Sequence, residues 1–479
     1  MSLWVECSDV PDGAQEVAVF SASSGQSFGN AQQMAERTPD IPWVSLESGN
    51  WKLDGKAALL EEADQIGWWS QCRSDSNREF SQPPVLTVSF PETLTATGIT
   101  FRFWPSLNHW CSKIQVSWYN GSDLLLTKTA FPTGPDWFLE QSVGDFDKIE
   151  ITLLKTNQPG QFAKIQQLQI GQVAMFMGNE LVRVRLLNEM DPSLCTLRVD
   201  SMHIEIHDRK KHCLLPKRNQ TVRLYRNGKL QATHYITDAV REEKQWYIFR
   251  CQSAIGRLER YFPGGTYQEE PVTNLLDRVL ADFPYMLDAY FDHETVTGIL
   301  PRCTRREALQ QIAFALGAAV TTREDGIIYL SPLETGAADS FNEHSVFVGS
   351  RAGQKPQIAA VQLVAHGLNG ERELYTKENP YVTTAERSNV IRVEDAVFVH
   401  EGNVEQVLNR LYDYYINRQV LTQRVVVSGQ KAGQMIQSLN PWGTVTEGYI
   451  TSMESEFTRT GHTAQITVLG VEKLKEVLS

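Results

Sequence analysis

Runs in which apolar and polar residues alternate, each closed by a turn signal, recur along this chain and constrain its fold more than any other feature. In the first third they occupy residues 85–90, 98–103, 114–118 and 148–153. A period of two places the apolar side chains on one face of a half-buried strand. Asn120-Gly121 supplies a two-residue hairpin turn into Leu124, Leu125 and Leu126. This pattern predicts an all-β sandwich. Residues 180–258 alternate again, with Asn227-Gly228 joining 222–225 to 230–236, and predict a small β-barrel.

The period then becomes helical. Val272, Leu275, Leu276, Val279 and Leu280 fall on one face, and Pro284 stops the run. Thr304 followed three places later by Glu307 is a capping box, with Leu309, Ile312, Ala313 and Leu316 as the apolar face behind it and Gly317 at the left-handed end. Residues 320–330 then fold over Asp325-Gly326 as a hairpin. The last region returns to strands and carries one amphipathic helix over 403–416, built on Val404, Val407, Leu408, Leu411 and Tyr415.

The 11 tryptophans are unevenly placed, only Trp246 and Trp442 falling after residue 175. Such a composition shift marks a domain boundary within 171–178. The expected organisation is a multidomain, mainly β chain: an N-terminal extension at 1–39 and a jelly-roll β-sandwich at 40–175. A first β-barrel at 176–262, an α/β insert at 263–345 and a second barrel with the amphipathic helix at 346–479 follow. One echo ties the barrels together. Tyr235-Ile236-Thr237 recurs as Tyr449-Ile450-Thr451, and Gly256 follows the first at the spacing by which Gly470 follows the second. Either one barrel hairpin occurs twice, or common strand residues recur by chance.

Charge and cysteine content narrow the function. A net charge of −12 disfavours a protein that holds nucleic acid by neutralising phosphates. The 7 cysteines are scattered without a C-x-x-C pair and read as buried thiols. Acidic residues at Glu6, Asp9, Asp12 and Glu16 argue against a secretory leader, and no apolar window reaches the roughly 20 residues of a bilayer span. A soluble protein made in a reducing cytosol is expected.

Catalytic signatures are missing: G-x-S-x-G, HExxH, a Walker loop and G-x-G-x-x-G do not occur, and no cofactor is implied. His203, His207, His212 and Cys213 are the densest metal-capable group. In a strand, however, His203 and His207 stand about 13 Å apart, too far to share one ion. Asp292-His293-Glu294 lacks a nearby nucleophile and reads as a loop. Trp104, His109, Trp110 and Trp137 lie near predicted strand ends, where sandwiches stack sugars on aromatic rings, and are the candidate glycan-binding residues; core packing is the competing reading. Trp69 and Trp118 read as core.

Residues 67–70, Ser74-Asp75, Phe80, the 83–90 strand, 97–99 and 116–121 resemble the discoidin or galactose-binding-like jelly roll over about 40–171. The order barrel, insert, barrel, helix, closing hairpin over about 176–479 resembles the hub protein of phage baseplates and related contractile injection machines. That resemblance implies a non-enzymatic homotrimer in a virion tail, assembled in the bacterial cytoplasm, which joins a six-fold tail tube to a three-fold tip. Its implied partners are the tail tube or distal tail protein, the tape-measure protein, and tip, spike or receptor-binding proteins. DNA would only pass through an acidic lumen, and a host-surface glycan would meet the N-terminal module. A glycan-binding adhesin and a carbohydrate-active enzyme with a binding module are the alternatives.

Overall fold

The computed structural model describes residues 3–8, 17–35, 43, 55, 66–208, 216–243, 245–337, 339–382, 387–440, 442–457 and 462–473. Two compact units emerge, one of Glu6–Met175 and one of Met1–Val5 with Phe176–Ser479. The architecture is mainly β, as the alternating pattern requires. No helix among the described residues is long and apolar enough to cross a membrane.

The first unit is a β-sandwich. Its strands are β1 (Val19–Ala22), β2 (Trp68–Arg73), β3 (Val85–Arg102), β4 (Cys111–Asn120), β5 (Asp123–Ala130), β6 (Asp136–Thr156), β7 (Phe162–Ile165) and β8 (Gln167–Ile170). The main sheet runs β1-β3-β6-β4-β5, with β8 added to β3, and β2 pairs β7 in a second sheet. Two runs read separately in the sequence, 85–90 and 98–103, are the ends of the single strand β3. Its ladder with β6 slips between Ser89 and Gly98, so one chain segment carries two stretches of regular pairing. Bulges of this kind bend a strand without ending it. Leu86, Val88, Ile99, Phe101, Ile114, Val116, Ile149 and Ile151 form the buried core.

Part of the expected N-terminal extension belongs to this fold: β1 pairs β3 from Val19↔Ser89 to Ala22↔Leu86 and adds Phe20 to the core. Its four residues are too short to register as an alternating run. The hairpin at Asn120 closes one residue later than its sequence signal, with Asn120 opposite Asp123 and Gly121 at φ 57°.

In the second unit, five strands form a first group: β9 (Leu181–Glu189), β10 (Ser201–His207), β11 (Thr221–Arg226), β12 (Lys229–Arg241) and β13 (Trp246–Gln252). Asn227 and Gly228, at φ 51° and 78°, make the left-handed turn between β11 and β12. Helices α1 (Val272–Val279) and α2 (Arg305–Leu316) follow, then the hairpin of β14 (Ala318–Thr322) and β15 (Ile328–Pro332). The Thr304 hydroxyl accepts from the Glu307 amide at 3.1 Å while the Thr304 amide donates to the Glu307 carboxylate at 2.7 Å, and Gly317 closes α2 at φ 76°. Leu275, Leu276, Val279, Leu309 and Ile312 bury together as their spacing predicts.

The final region contains β16 (Arg351–Gln354), β17 (Ala360–His366), β18 (Arg372–Glu378), β19 (Val390–Val393), α3 (Val404–Tyr415), β20 (Gln419–Val426), β21 (Met435–Leu439), β22 (Val445–Phe457) and β23 (His462–Lys473). The sequence reading treats 346–479 as one barrel, but β17, β18 and β19 form a separate three-stranded sheet. Helix α3 packs on it through Val404, Val407 and Leu411, in a core shared with Phe314 and Ala319. The remaining five strands repeat the first group. The order β11-β12-β13-β10-β9 is matched by β21-β22-β23-β20-β16, strand for strand in sequence position as well as in space. The expected pair of barrels is thus two copies of one five-stranded sheet. Among the described residues the pairing path runs through both copies and does not close within either.

Gly448 and Gly470 face each other where β22 and β23 cross, and a Cβ on Gly448 would stand 2.1 Å from the Leu469 carbonyl oxygen. Backbone cannot give way cheaply there, so Gly448→Ala should destabilise this unit by on the order of 1–3 kcal/mol. Gly336→Ala, whose Cβ meets nothing within 4 Å, should be nearly neutral. Denaturant midpoints of the two variants against the parent chain check both.

Candidate functional site

The two five-stranded copies meet along one seam, and the long strand β22 makes it possible. Its first half, Val445–Tyr449, pairs with β21, while Ser452–Glu456 pairs with β9 from the other copy, through Glu189↔Ser452 to Arg185↔Glu456. Between the halves stands Thr451, the extra residue of a β-bulge in the ladder with β23. A bulge turns the strand and increases its twist. Here it falls where β22 changes partner. Arg185 adds an ion pair to Glu454 across the seam at 3.7 Å.

The other copy carries the same device. Thr237 is the extra residue between Ile236 and Asp238 in the β12–β13 ladder, and Lys229–Tyr235 ahead of it pairs with β11. The Thr237 hydroxyl donates across the hairpin to the Arg250 carbonyl at 2.9 Å, and the Thr451 hydroxyl to the Thr467 carbonyl at 3.2 Å. Ile236 and Ile450, one residue earlier, are both buried. The Tyr-Ile-Thr echo therefore marks a real structural repeat, in which each threonine hydroxyl donates to a carbonyl on the facing strand of its hairpin. The glycine half of the echo is coincidence: Gly256 lies in the short 3-10 turn Ala254–Leu258, whereas Gly470 lies inside β23.

In the sandwich, the four aromatic candidates separate into two kinds. Trp104 and His109 pair backbone to backbone around the turn Pro105–Leu107, with both hydrogen bonds 3.0 Å long. Both side chains are buried, Trp104 at 0% exposure, so neither offers a ring face to a sugar. For these two residues burial agrees with the competing core-packing reading. Trp104 meets Trp69 edge-on at 5.3 Å between centroids, in a small core with Trp43 and Ile66. Trp110 and Trp137 are half-buried; Trp110 Nε1 donates to the Pro132 carbonyl at 3.1 Å, and Trp137 lies 5.8 Å from Phe101 on the neighbouring strand. Trp69 and Trp118 are core, as read.

A residue the sequence reading missed holds this end of the sandwich together. Lys164, only 2% exposed, places Nζ 2.9 Å from His109 Nδ1 and 4.8 Å from the centre of the Trp69 ring. An ammonium has donors only, so Nδ1 accepts and His109 is neutral. The ring face of Trp69 adds a cation–π contact. No alternation rule anticipates this lysine, because β7 is buried on both faces at Ala163, Lys164 and Ile165.

Among the other candidates, His203 lies 3.4 Å from Glu205, and His207 stacks on Trp246 at 4.6 Å; His212 and Cys213 fall outside the described residues. Among the described residues no three metal-capable side chains gather. Cys7, Cys111 and Cys251 are buried as read, but Cys72 is exposed. A shallow cavity beside Glu189, Asp191, Arg198 and Gln310 has room for about one water. Asp200, its carboxyl pushed up to about 6 by burial, accepts from the Glu189 amide at 3.0 Å.

No family model and no curated protein matches the chain. Solved structures of two kinds resemble it, the two kinds its sequence resembles. A tail protein from Neisseria meningitidis MC58 aligns at TM-score 0.49 with 12% identity, over 62% of this chain and 93% of that one. A 43 kDa prophage MuSo2 tail protein from Shewanella oneidensis aligns at 0.43 with 12% identity, over 62% and 95%. A family 32 carbohydrate-binding module of NanJ from C. perfringens, solved with galactose, aligns at 0.23 with 17% identity, over 35% and 99%.

Burial first, and the Lys164 ammonium second, push the His109 imidazole down from its ordinary 6.5 to about 3. Between those values the unfolded chain holds a proton that the folded chain does not, so stability is complete above the upper value and declines as pH falls towards the lower one. Tryptophan-detected unfolding of the sandwich should therefore shift to lower midpoints on acidification through this window. His109→Gln should flatten the dependence; an equal drop in both proteins would contradict it.

Proposed function

We propose that this chain is a non-enzymatic structural subunit of a phage or phage-like tail, acting as the baseplate hub that joins a six-fold tube to a three-fold tip. The observation that carries the proposal is the duplicated five-stranded sheet and the seam by which its copies join. A chain that contains two equivalent modules supplies six positions from three copies, which is what a subunit between six-fold and three-fold rings must do. The insert of α1, α2 and the β14–β15 hairpin stands between the modules and the α3 module interrupts the second, yet the strand order is the same in both, so the ring-forming element stays intact. The tail proteins named among the similar structures agree with this reading.

The partners that follow are a homotrimer of this chain, the tail tube or distal tail protein, the tape-measure protein, and tip, spike or receptor-binding proteins. The net charge of −12 suits a lumen that lets DNA pass without holding it. The sandwich is the accessory module for protein or glycan contacts, with Trp110 and Trp137 as the two aromatic candidates that keep partial exposure.

Particles induced from cells encoding the chain, with an affinity tag on it, test the reading. The label should appear at one end of the tail, at three copies per particle by quantitative mass spectrometry. Particles that assemble complete tails without the chain, or a chain that binds a glycan and no tail component, would overturn it.

A further inference from the structure

We infer that a hydrogen-bonded bridge buried in the second five-stranded sheet tells the two copies apart, so that each closes on its own strands and not on the equivalent strands of the other. A duplicated fold gains from such a device whatever the chain assembles into. Exchange between similar modules is a characteristic failure of repeat-containing chains.

The two copies align residue by residue through their own ladders. Ile236 faces Cys251 as Ile450 faces Val468, and Cys251 faces Met202 as Val468 faces Leu421. Two places further along, Ile204 of β10 therefore corresponds to Gln423 of β20. Five places before the bulges at Thr237 and Thr451, Ala232 faces Leu224 and Thr446 faces Ser438. All six of these side chains are at most 4% exposed. The first copy thus fills its interior with Ile204, Leu224 and Ala232 where the second buries an amide and two hydroxyls.

The polar groups of the second copy satisfy one another across its interior. The Ser438 hydroxyl donates to Gln423 Oε1, and Gln423 Nε2 donates to the Leu439 carbonyl at 2.6 Å. Thr446 Oγ1 lies 2.8 Å from Gln419 Oε1 and 2.9 Å from Asn440 Oδ1, and Asn440 Nδ2 donates to the Thr444 hydroxyl at 2.7 Å. Strands β20 and β21 do not pair, since β22 and β23 stand between them in the sheet. The side chains therefore join two strands that no ladder joins, and they can do so only when both strands come from the second copy.

Exchange breaks the bridge from either side. With β10 in the place of β20, Ile204 would stand against Ser438 and leave its hydroxyl without a partner. With β20 in the first sheet, the Gln423 amide would stand against Leu224. A buried polar group left unpaired keeps its whole desolvation cost, whereas a pair replaced by apolar groups of the same shape is close to neutral. The bridge thus adds little to the native sheet and penalises the exchanged ones. A buried asparagine fixes the register of a coiled coil through the same asymmetry.

The test uses the full chain with Gln423→Leu and Ser438→Ala, which together remove the bridge at nearly constant shape. The urea midpoint of this double variant should match or exceed that of the parent. The fraction recovered in native, protease-resistant form after refolding from urea should nevertheless fall at least about threefold. Gln423→Leu alone, which strands the Ser438 hydroxyl, should unfold at a lower midpoint than the double variant. A double variant that refolds as fully as the parent overturns the inference. So does one whose recovery falls only in step with a lowered midpoint, which would make the bridge an ordinary stabilising contact, and so does a single variant as stable as the double one.

Discussion

The backbone seam between β9 and β22 is the interaction on which the larger unit depends. It turns two five-stranded sheets, each with an open edge, into one continuous ladder, and it does so with main-chain hydrogen bonds that side-chain changes other than to proline leave in place. Unpaired strand edges are a liability in any β protein. Here one is consumed internally. The bulge at Thr451 lets one long strand serve two partners in succession, which is how a hairpin can belong both to its own sheet and to the next.

Much of this was legible in the residues. Helices α1, α2 and α3 follow from apolar spacing, and the Thr304–Glu307 box fixes the start of α2 to the residue, because capping chemistry is local. Asn227-Gly228 places its turn correctly for the same reason. The Tyr-Ile-Thr echo located the duplication, although the glycine spacing that accompanied it came from unrelated elements. What the sequence concealed is long-range: β1 is too short to show a period, and β17 to β19 look like any other strands until their partners are known. The seam joins residues that only folding brings together.

The sandwich shows the opposite balance. Its aromatic content suggested a ligand surface, and two of the four candidates instead fill its interior. Lys164 holds His109 there, its ammonium met by an imidazole nitrogen and the indole face of Trp69, against which Trp104 packs. A buried ammonium supported in this way is sensitive to the loss of either partner.

The seam also sets an order of events during synthesis. Arg185 leaves the ribosome long before Glu456, its partner across the ladder, and domains of a growing chain fold as they emerge. The first sheet must therefore stand with β9 uncovered while the insert and the α3 module are still being made. Contacts so distant in sequence close slowly. Strand β9 is suited to that wait: Arg183 and Arg185 project from it into solvent, and charged edges of this kind repel the copies of themselves on neighbouring nascent chains until the proper strand arrives.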